Sequence, residues 1–235
     1  MKLKHKFSLA LVTLISLFTV SINVSAKGPA NTGNSSPRSV SSTLDATEAS
    51  HLTFMREEEK LARDVYLTFA EMYPEQPVFS TIATRSEQTH TDTIRDKLEQ
   101  FGLPDPNPDA NDLPASIGLF SGTEWGWYFM QKYAELVAKG SNSELDALYV
   151  GALIEELDMN DIVVCPAVMV KAGYNNPCGL EYTDERAIQN AYSSLVDGSE
   201  NHLRSYVGQI EAVIGEGNYQ AQYLTQEEVD AILGR

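Results

Sequence analysis

Glu87 and His90 stand three residues apart in the stretch Ser86-Glu87-Gln88-Thr89-His90. On a helix, residues at that spacing differ by about 60° in direction and one turn in height. A carboxylate and an imidazole so placed can reach one point off the helix surface. Oxygen and nitrogen donors together suit iron, manganese or zinc rather than calcium. Three further polar clusters interrupt stretches that otherwise read as apolar helix. They are Glu59 within Arg56-Glu57-Glu58-Glu59-Lys60-Leu61-Ala62-Arg63, the run Glu155-Glu156-Leu157-Asp158, and Ser199-Glu200-Asn201-His202. An ionised carboxylate in an apolar core is costly, and metal ligation is one of few ways to keep several there. Four helices aiming these groups at one level would form a metal cage.

The elements that must position them follow from hydrophobic periodicity. A first helix is expected over about Ala49–Tyr73, with Thr47 as its cap and Pro74 and Pro77 ending it. Its buried stripe reads Leu52, Met55, Glu59, Ala62, Tyr66, Phe69, which takes Glu59 inward and leaves Glu57 outside. A second helix, about Ser80–Phe101, carries Phe79, Ala83, Glu87, His90, Ile94, Leu98 and Phe101 on one face. Gly102 closes it and Pro104 prevents its continuation. The connection that follows alternates acids and amides from Asp105 to Asp112. It lacks the glycine at the sixth position and the acid at the twelfth that an EF-hand needs, so it reads as a solvated acidic loop. A shorter helix from Glu124 to about Lys139 carries Trp125, Tyr128, Phe129 and Tyr133, which pack the crossover onto the bundle.

The third main helix, about Ser143–Val164, is apolar nearly all round. One stripe buries Glu155 with Asp158 a turn on, and a rival stripe buries Glu156, so periodicity leaves the two open. Residues 165–183 read as a loop. A fourth helix runs from about Thr183 to Ile214 along Ile188, Tyr192, Leu195, Ser199, His202, Tyr206 and Gln209, with Gly198 inside it at some cost. Thr225-Gln226-Glu227-Glu228 caps a short terminal helix through Ile232. There is no credible strand pair, and the expected fold class is all-α.

Residues 1–26 have the form of a secretory signal: Lys2, Lys4 and Lys6, an apolar run from Phe7 to Val20, and the small-residue site Val24-Ser25-Ala26. The run is short for a membrane span, which needs about 20 residues. No stable span is expected once the signal is removed, and the expected location is secreted or periplasmic. Residues 27–46, rich in Ser, Gly, Asn, Thr and Pro, read as a flexible linker. Residues 47–235 remain as one helical domain with a sizeable core. The formal net charge is −16 and becomes more negative with the signal gone. Such a surface repels phosphate backbones and argues against nucleic acid as a partner, while it attracts cations. Cys165 and Cys178 are expected to form a disulfide in an oxidising compartment.

Glu59-x-x-Ala62-Arg63-x-x-Tyr66, followed by Glu87-x-x-His90 on the next helix, resembles the first half of a ferritin-like or rubrerythrin-like di-iron carboxylate bundle. That pattern takes a glutamate from each of two helices and Glu-x-x-His from each of the other two. The long connection before the third helix fits that fold's single crossover. Met55-Arg-Glu-Glu-Glu-Lys-Leu-Ala-Arg63 and Gly151-Ala-Leu-Ile-Glu-Glu-Leu-Asp158 are similar to a bacterial exported ferritin-like domain-of-unknown-function family, over roughly residues 50–232. The resemblance implies a metal set of Glu59, Glu87, His90, Glu155, Asp158 and His202. The chain departs from the pattern at Ser199, where the superfamily has a bridging glutamate, and Asp158 is the carboxylate that could replace it. His51, near a helix start, is expected at the surface or in a cap.

The fold and chemistry so implied are a four-helix bundle binding iron, as one or two ions, with manganese or zinc as other candidates. The implied reaction is ferrous iron oxidation or reduction of peroxide or oxygen, with Tyr66, Tyr192 or Tyr206 near enough to relay an electron or donate a hydrogen bond. Metal ions are the expected partners, and a homodimer is left open. The competing class is a non-catalytic binding or structural module. In it the inward carboxylates and histidines pair with each other or with Arg63 and Arg204.

Overall fold

The computed structural model describes residues 44–235. The expected signal peptide and all but the last three residues of the expected linker lie outside the described residues. Helix α1 spans Ala46–Met72 and begins three residues before the periodicity suggests, because Asp45 rather than Thr47 is its cap. The Asp45 carboxylate accepts from the Thr47 and Glu48 amides while Glu48 reaches back to the Asp45 amide, so the exposed donors of the first turn are satisfied reciprocally.

Helix α2 (Pro77–Thr81) runs without a break through a π-helical turn at Ile82–Glu87 into α3 (Gln88–Phe101), which ends at Gly102 in the left-handed conformation. The crossover carries α4 (Gly126–Gly140). Helix α5 (Glu144–Val163), the short α6 (Ala167–Lys171), α7 (Arg186–Ile214) and α8 (Gln226–Leu233) complete the chain. The segment expected as plain loop thus holds one helical turn and more in α6. Glu185 caps α7, whereas the Thr183 hydroxyl donates to Glu48 on α1. Thr225 and Glu228 form the expected capping box of α8.

The fold is all-α, and no strand occurs among the described residues. Four long elements form a closed square in which α1 packs on α3 and α5, and α7 packs on α3 and α5. Helix α4 lies outside, against α1 and α5. Its aromatics do what the sequence suggests: Trp125 and Phe129 pack on Phe54 of α1 with ring centroids 5.6 and 4.8 Å apart.

The crossover also covers the outer face of α1, and this overturns two expectations. Glu57, placed outside by the stripe, is fully buried, as are Arg56, Lys60, Arg63 and Asp64. The acidic connection is not simply solvated. Asp105 takes both Nε and Nη2 of Arg56 at 3.0 and 2.9 Å, and the carbonyls of Ala110 and Ser116 accept from Arg63 and Lys60. Lys60 and Arg63 both pair with Asp64. Buried charges persist where each has such partners, since removing one leaves the other desolvated and unpaired. Cys165 and Cys178 form the expected disulfide, which closes the α6 segment between α5 and α7.

Candidate metal centre

All six residues expected at the site face the interior of the square, none more than 7 % exposed. Glu87 is at the middle. Its Oε1 lies 2.9 Å from His202 Nδ1 and its Oε2 lies 3.6 Å from His90 Nδ1. On one flank Glu59 Oε2 is 3.3 Å from the same His90 nitrogen, and on the other Glu155 Oε2 is 3.2 Å from the His202 nitrogen. The two imidazole rings are 5.4 Å apart. One donor atom each from Glu87, His90 and His202 falls within 4.8 Å of the other two.

Asp158 completes the ring from α5, with Oδ2 2.6 Å from the Ser199 hydroxyl. Ser199 therefore stands beside a carboxyl group at the position where a glutamate of α7 would bring one. Tyr66 of α1 donates to Glu155 Oε1 at 2.6 Å. Tyr206 packs on Tyr66 with ring centroids 5.2 Å apart. Tyr192 is occupied elsewhere, by His51.

The rival glutamate of α5 is settled by its own contacts. Glu156 accepts from the Tyr219 hydroxyl and from the backbone amides of Gln222, Tyr223 and Leu224 at 2.6–3.0 Å. It anchors the segment before α8 and leaves Glu155 as the inward acid. Neither arginine of the competing reading reaches the cluster. Arg63 is held by Asp64, Gln88, Asn111 and the Ala110 carbonyl, and Arg204 pairs with Glu200 near the surface.

His51 departs from expectation altogether. It is fully buried, with Nδ1 2.8 Å from the Tyr192 hydroxyl and Nε2 2.9 Å from the Asp161 carbonyl. A carbonyl only accepts, so Nε2 carries the proton and Nδ1 accepts from Tyr192. Burial holds its pKa down to about 4 against the pull of the Asp161 carbonyl. Its buried contacts are structural, and nothing in the spacing near a helix start signals them.

Local structure explains how the cluster assembles. The π-helical turn ends on Glu87, so the widened turn sets the rotation of the Glu87–His90 pair relative to α2. Gly198 of α7 faces His90 so closely that a Cβ there would lie 2.5 Å from Nε2. The ring's other nitrogen, Nδ1, is the one beside the carboxylates.

The electrostatics describe a group short of positive charge. Burial pushes Glu59 up to about 7 although His90 pulls it back. Burial and the neighbouring Glu59 charge push Asp158 well up, and burial also raises Glu155. Burial opposes ionisation of Glu87 too, but the two histidines outweigh it and hold that carboxyl below its ordinary range. For His90 and His202, burial is overcome by the carboxylates, which raise them to about 12 and about 10. Even so, Glu59 Oε1, Glu87 Oε2, Asp158 Oδ1 and His90 Nδ1 are buried without an aligned hydrogen bond. Four acids and two bases gather in the core and leave donor atoms unused, and the donor atoms of Glu87, His90 and His202 lie close enough together to fit a cation bound through oxygen and nitrogen.

The match to known proteins adds kinship. Residues 48–235 match the family described as an uncharacterized protein domain, DUF2202. The chain belongs to this family. It is 40 % identical over 190 residues to the uncharacterized protein MJ0754 of Methanocaldococcus jannaschii, covering 81 % of this chain and 88 % of that one. The crystal structure of the hypothetical protein MJ0754 superimposes with a TM-score of 0.68 at 37 % identity, covering 86 % of this chain and 98 % of that one. This DUF2202 chain thus shares its helical bundle with a solved relative.

Proposed function

We propose that this protein is an exported, ferritin-like metal protein whose central group holds iron as one or two ions, with manganese or zinc as alternative occupants. The observation that carries the reading is the division of Glu87. Each of its oxygens faces a different histidine, and each histidine has its own flanking glutamate, Glu59 or Glu155. Glu59 and His90 on one side and Glu155 and His202 on the other would hold the metal, with Glu87 shared between the two half-sites. Asp158, hydrogen-bonded to Ser199, supplies the carboxyl that the fourth helix lacks. Export rests on the signal-like N-terminal sequence.

Iron bound there would supply redox chemistry, for oxidation of ferrous iron or reduction of peroxide or oxygen. The chain's own part is to hold the carboxylates ionised when protons leave, to keep the Nδ1 atoms turned inward, and to exclude bulk water. Tyr66 fixes Glu155 by donating to the oxygen that His202 does not face. Because binding must displace the protons now held by Glu59 and the histidines, affinity rises with pH.

Purification after metal-supplemented expression tests the reading. The parent is expected to carry about one to two equivalents of metal, and Glu87→Ala and His90→Ala to lose most of it. An oxygen- or peroxide-driven iron oxidation assay then separates an enzyme from a carrier. The second reading, a structural module, is favoured by the same ion pairs taken as mutual satisfaction of acids and imidazoles. Negligible metal in the parent, with thermal stability unmoved by added iron, manganese or zinc, would establish it.

A further inference from the structure

The crossover leaves a cavity of about 320 Å³ on the outer side of α1, away from the central group. Thr53 and Glu57 of α1 line it together with Ser121, Thr123, Glu124 and Trp125 of the crossover. Glu57 forms its floor. Its Oε1 accepts from Asn107 Nδ2 at 3.3 Å, while its Oε2 is buried with no partner.

Among the described residues no salt bridge reaches Glu57, and Lys60, one turn on, is spent on Asp64 and the Ser116 carbonyl. Arg56 is spent on Asp105, another residue lining the cavity. At Gly122 the crossover backbone comes so close that a Cβ would lie 2.0 Å from Glu57 Oε1, so the chain is shaped to reach this carboxylate. Glu124 accepts from Ser50 and Tyr174 through Oε1. The side-chain acceptors around the cavity are carboxylate and hydroxyl oxygens, with neither imidazole nor sulfur. Oxygen donors of mixed type are what a hard cation such as calcium takes, and they contrast with the nitrogen-containing set at the centre.

We propose that this cavity is a second cation site, separate from the central group, that takes a hard divalent cation of the calcium type on Glu57, Glu124 and oxygens of the crossover. The ion ties the crossover to α1 from the side opposite Glu59.

Terbium is the probe, because Trp125 at the cavity can sensitise its luminescence. In the purified, chelator-treated protein, added Tb³⁺ should emit on tryptophan excitation, and Ca²⁺ should quench the emission by displacement. Trp125→Phe should remove most of the signal and Trp127→Phe little of it. Glu57→Gln should weaken Ca²⁺ competition by at least about tenfold with helical circular dichroism unchanged. Glu87→Gln should leave the signal intact, which separates this site from the central one. Glu124→Gln, at an exposed position, gives the same readout should Glu57→Gln fail to fold. Absence of a Ca²⁺-displaceable signal in the parent overturns the proposal. So does equal Ca²⁺ competition in the glutamate variants, or loss of the signal in Glu87→Gln.

Discussion

His51 and His90 show how one residue type takes opposite electrostatic roles a few turns apart on neighbouring helices. His90 lies among carboxylates that hold it protonated. His51 meets only a carbonyl and a phenol, so burial decides and keeps it neutral. The pH consequence has a definite sign. An unfolded histidine binds a proton near 6.5 and the folded one only near 4, so this contribution to stability is intact above 6.5. It is lost as pH falls toward 4, by up to about 3 kcal/mol at about 1.4 kcal/mol per pK unit. His51→Phe should cost about 2–4 kcal/mol at pH 7, because the Asp161 carbonyl and the Tyr192 hydroxyl lose their partner. It should also flatten the stability profile between pH 6.5 and 4. Urea unfolding at several pH values checks both, and parallel profiles for parent and variant would remove His51 as the titrating group.

At the scale of elements, single glycines decide how closely α7 packs on its neighbours. Gly198 admits His90 of α3, and at the separate interface with α5 Gly151 admits the Tyr206 ring of α7, which a Cβ would approach to 2.5 Å. Gly208 of α7 faces open space within 4 Å. Glycine in a helix costs roughly 0.5–1 kcal/mol relative to alanine when nothing else intervenes. Gly208→Ala should therefore stabilise the protein by about that amount. Gly151→Ala should destabilise by about 1–3 kcal/mol through overpacking, and Gly198→Ala should do so while also weakening metal binding, because it displaces His90. Thermal unfolding and metal content of the three variants test this together, and stabilisation by Gly198→Ala would contradict the close approach.

The same scale shows what the sequence could and could not disclose. The inward course of Glu59, Glu87, His90 and His202 is legible because each interrupts an apolar stripe, and an interruption at helical period is visible in a linear chain, whereas Asp158 is suggested only by its place one turn from Glu155. The choice of Glu155 over Glu156 is not legible, because α5 is apolar nearly all round and the decisive partners of Glu156 come from residues 219–224. Nor is the burial of Glu57 and His51, which depends on what covers α1 rather than on α1 itself. The π-helical turn before His90 has no periodic signature in so short a stretch.

At the scale of the whole molecule, the parts that stabilise the fold are separable from the group proposed to hold metal. The central group draws on α1, the π-helical turn, α3, α5 and α7, whereas the disulfide closes a segment between α5 and α7 that contributes no residue to it. Cys165 and Cys178 are 13 residues apart, and a closed loop of that size is worth about 3 kcal/mol through the entropy it removes from the unfolded chain. For a domain of this size that corresponds to roughly 6–12 °C in Tm. Replacing both cysteines by alanine should lower Tm by about that range and leave bound metal per chain unchanged. Calorimetry beside elemental analysis reads the two quantities on one sample. A matching fall in metal content would mean that the α6 segment helps set the spacing of α5 and α7 at Glu155 and His202, and that stability and binding are not separable in this fold.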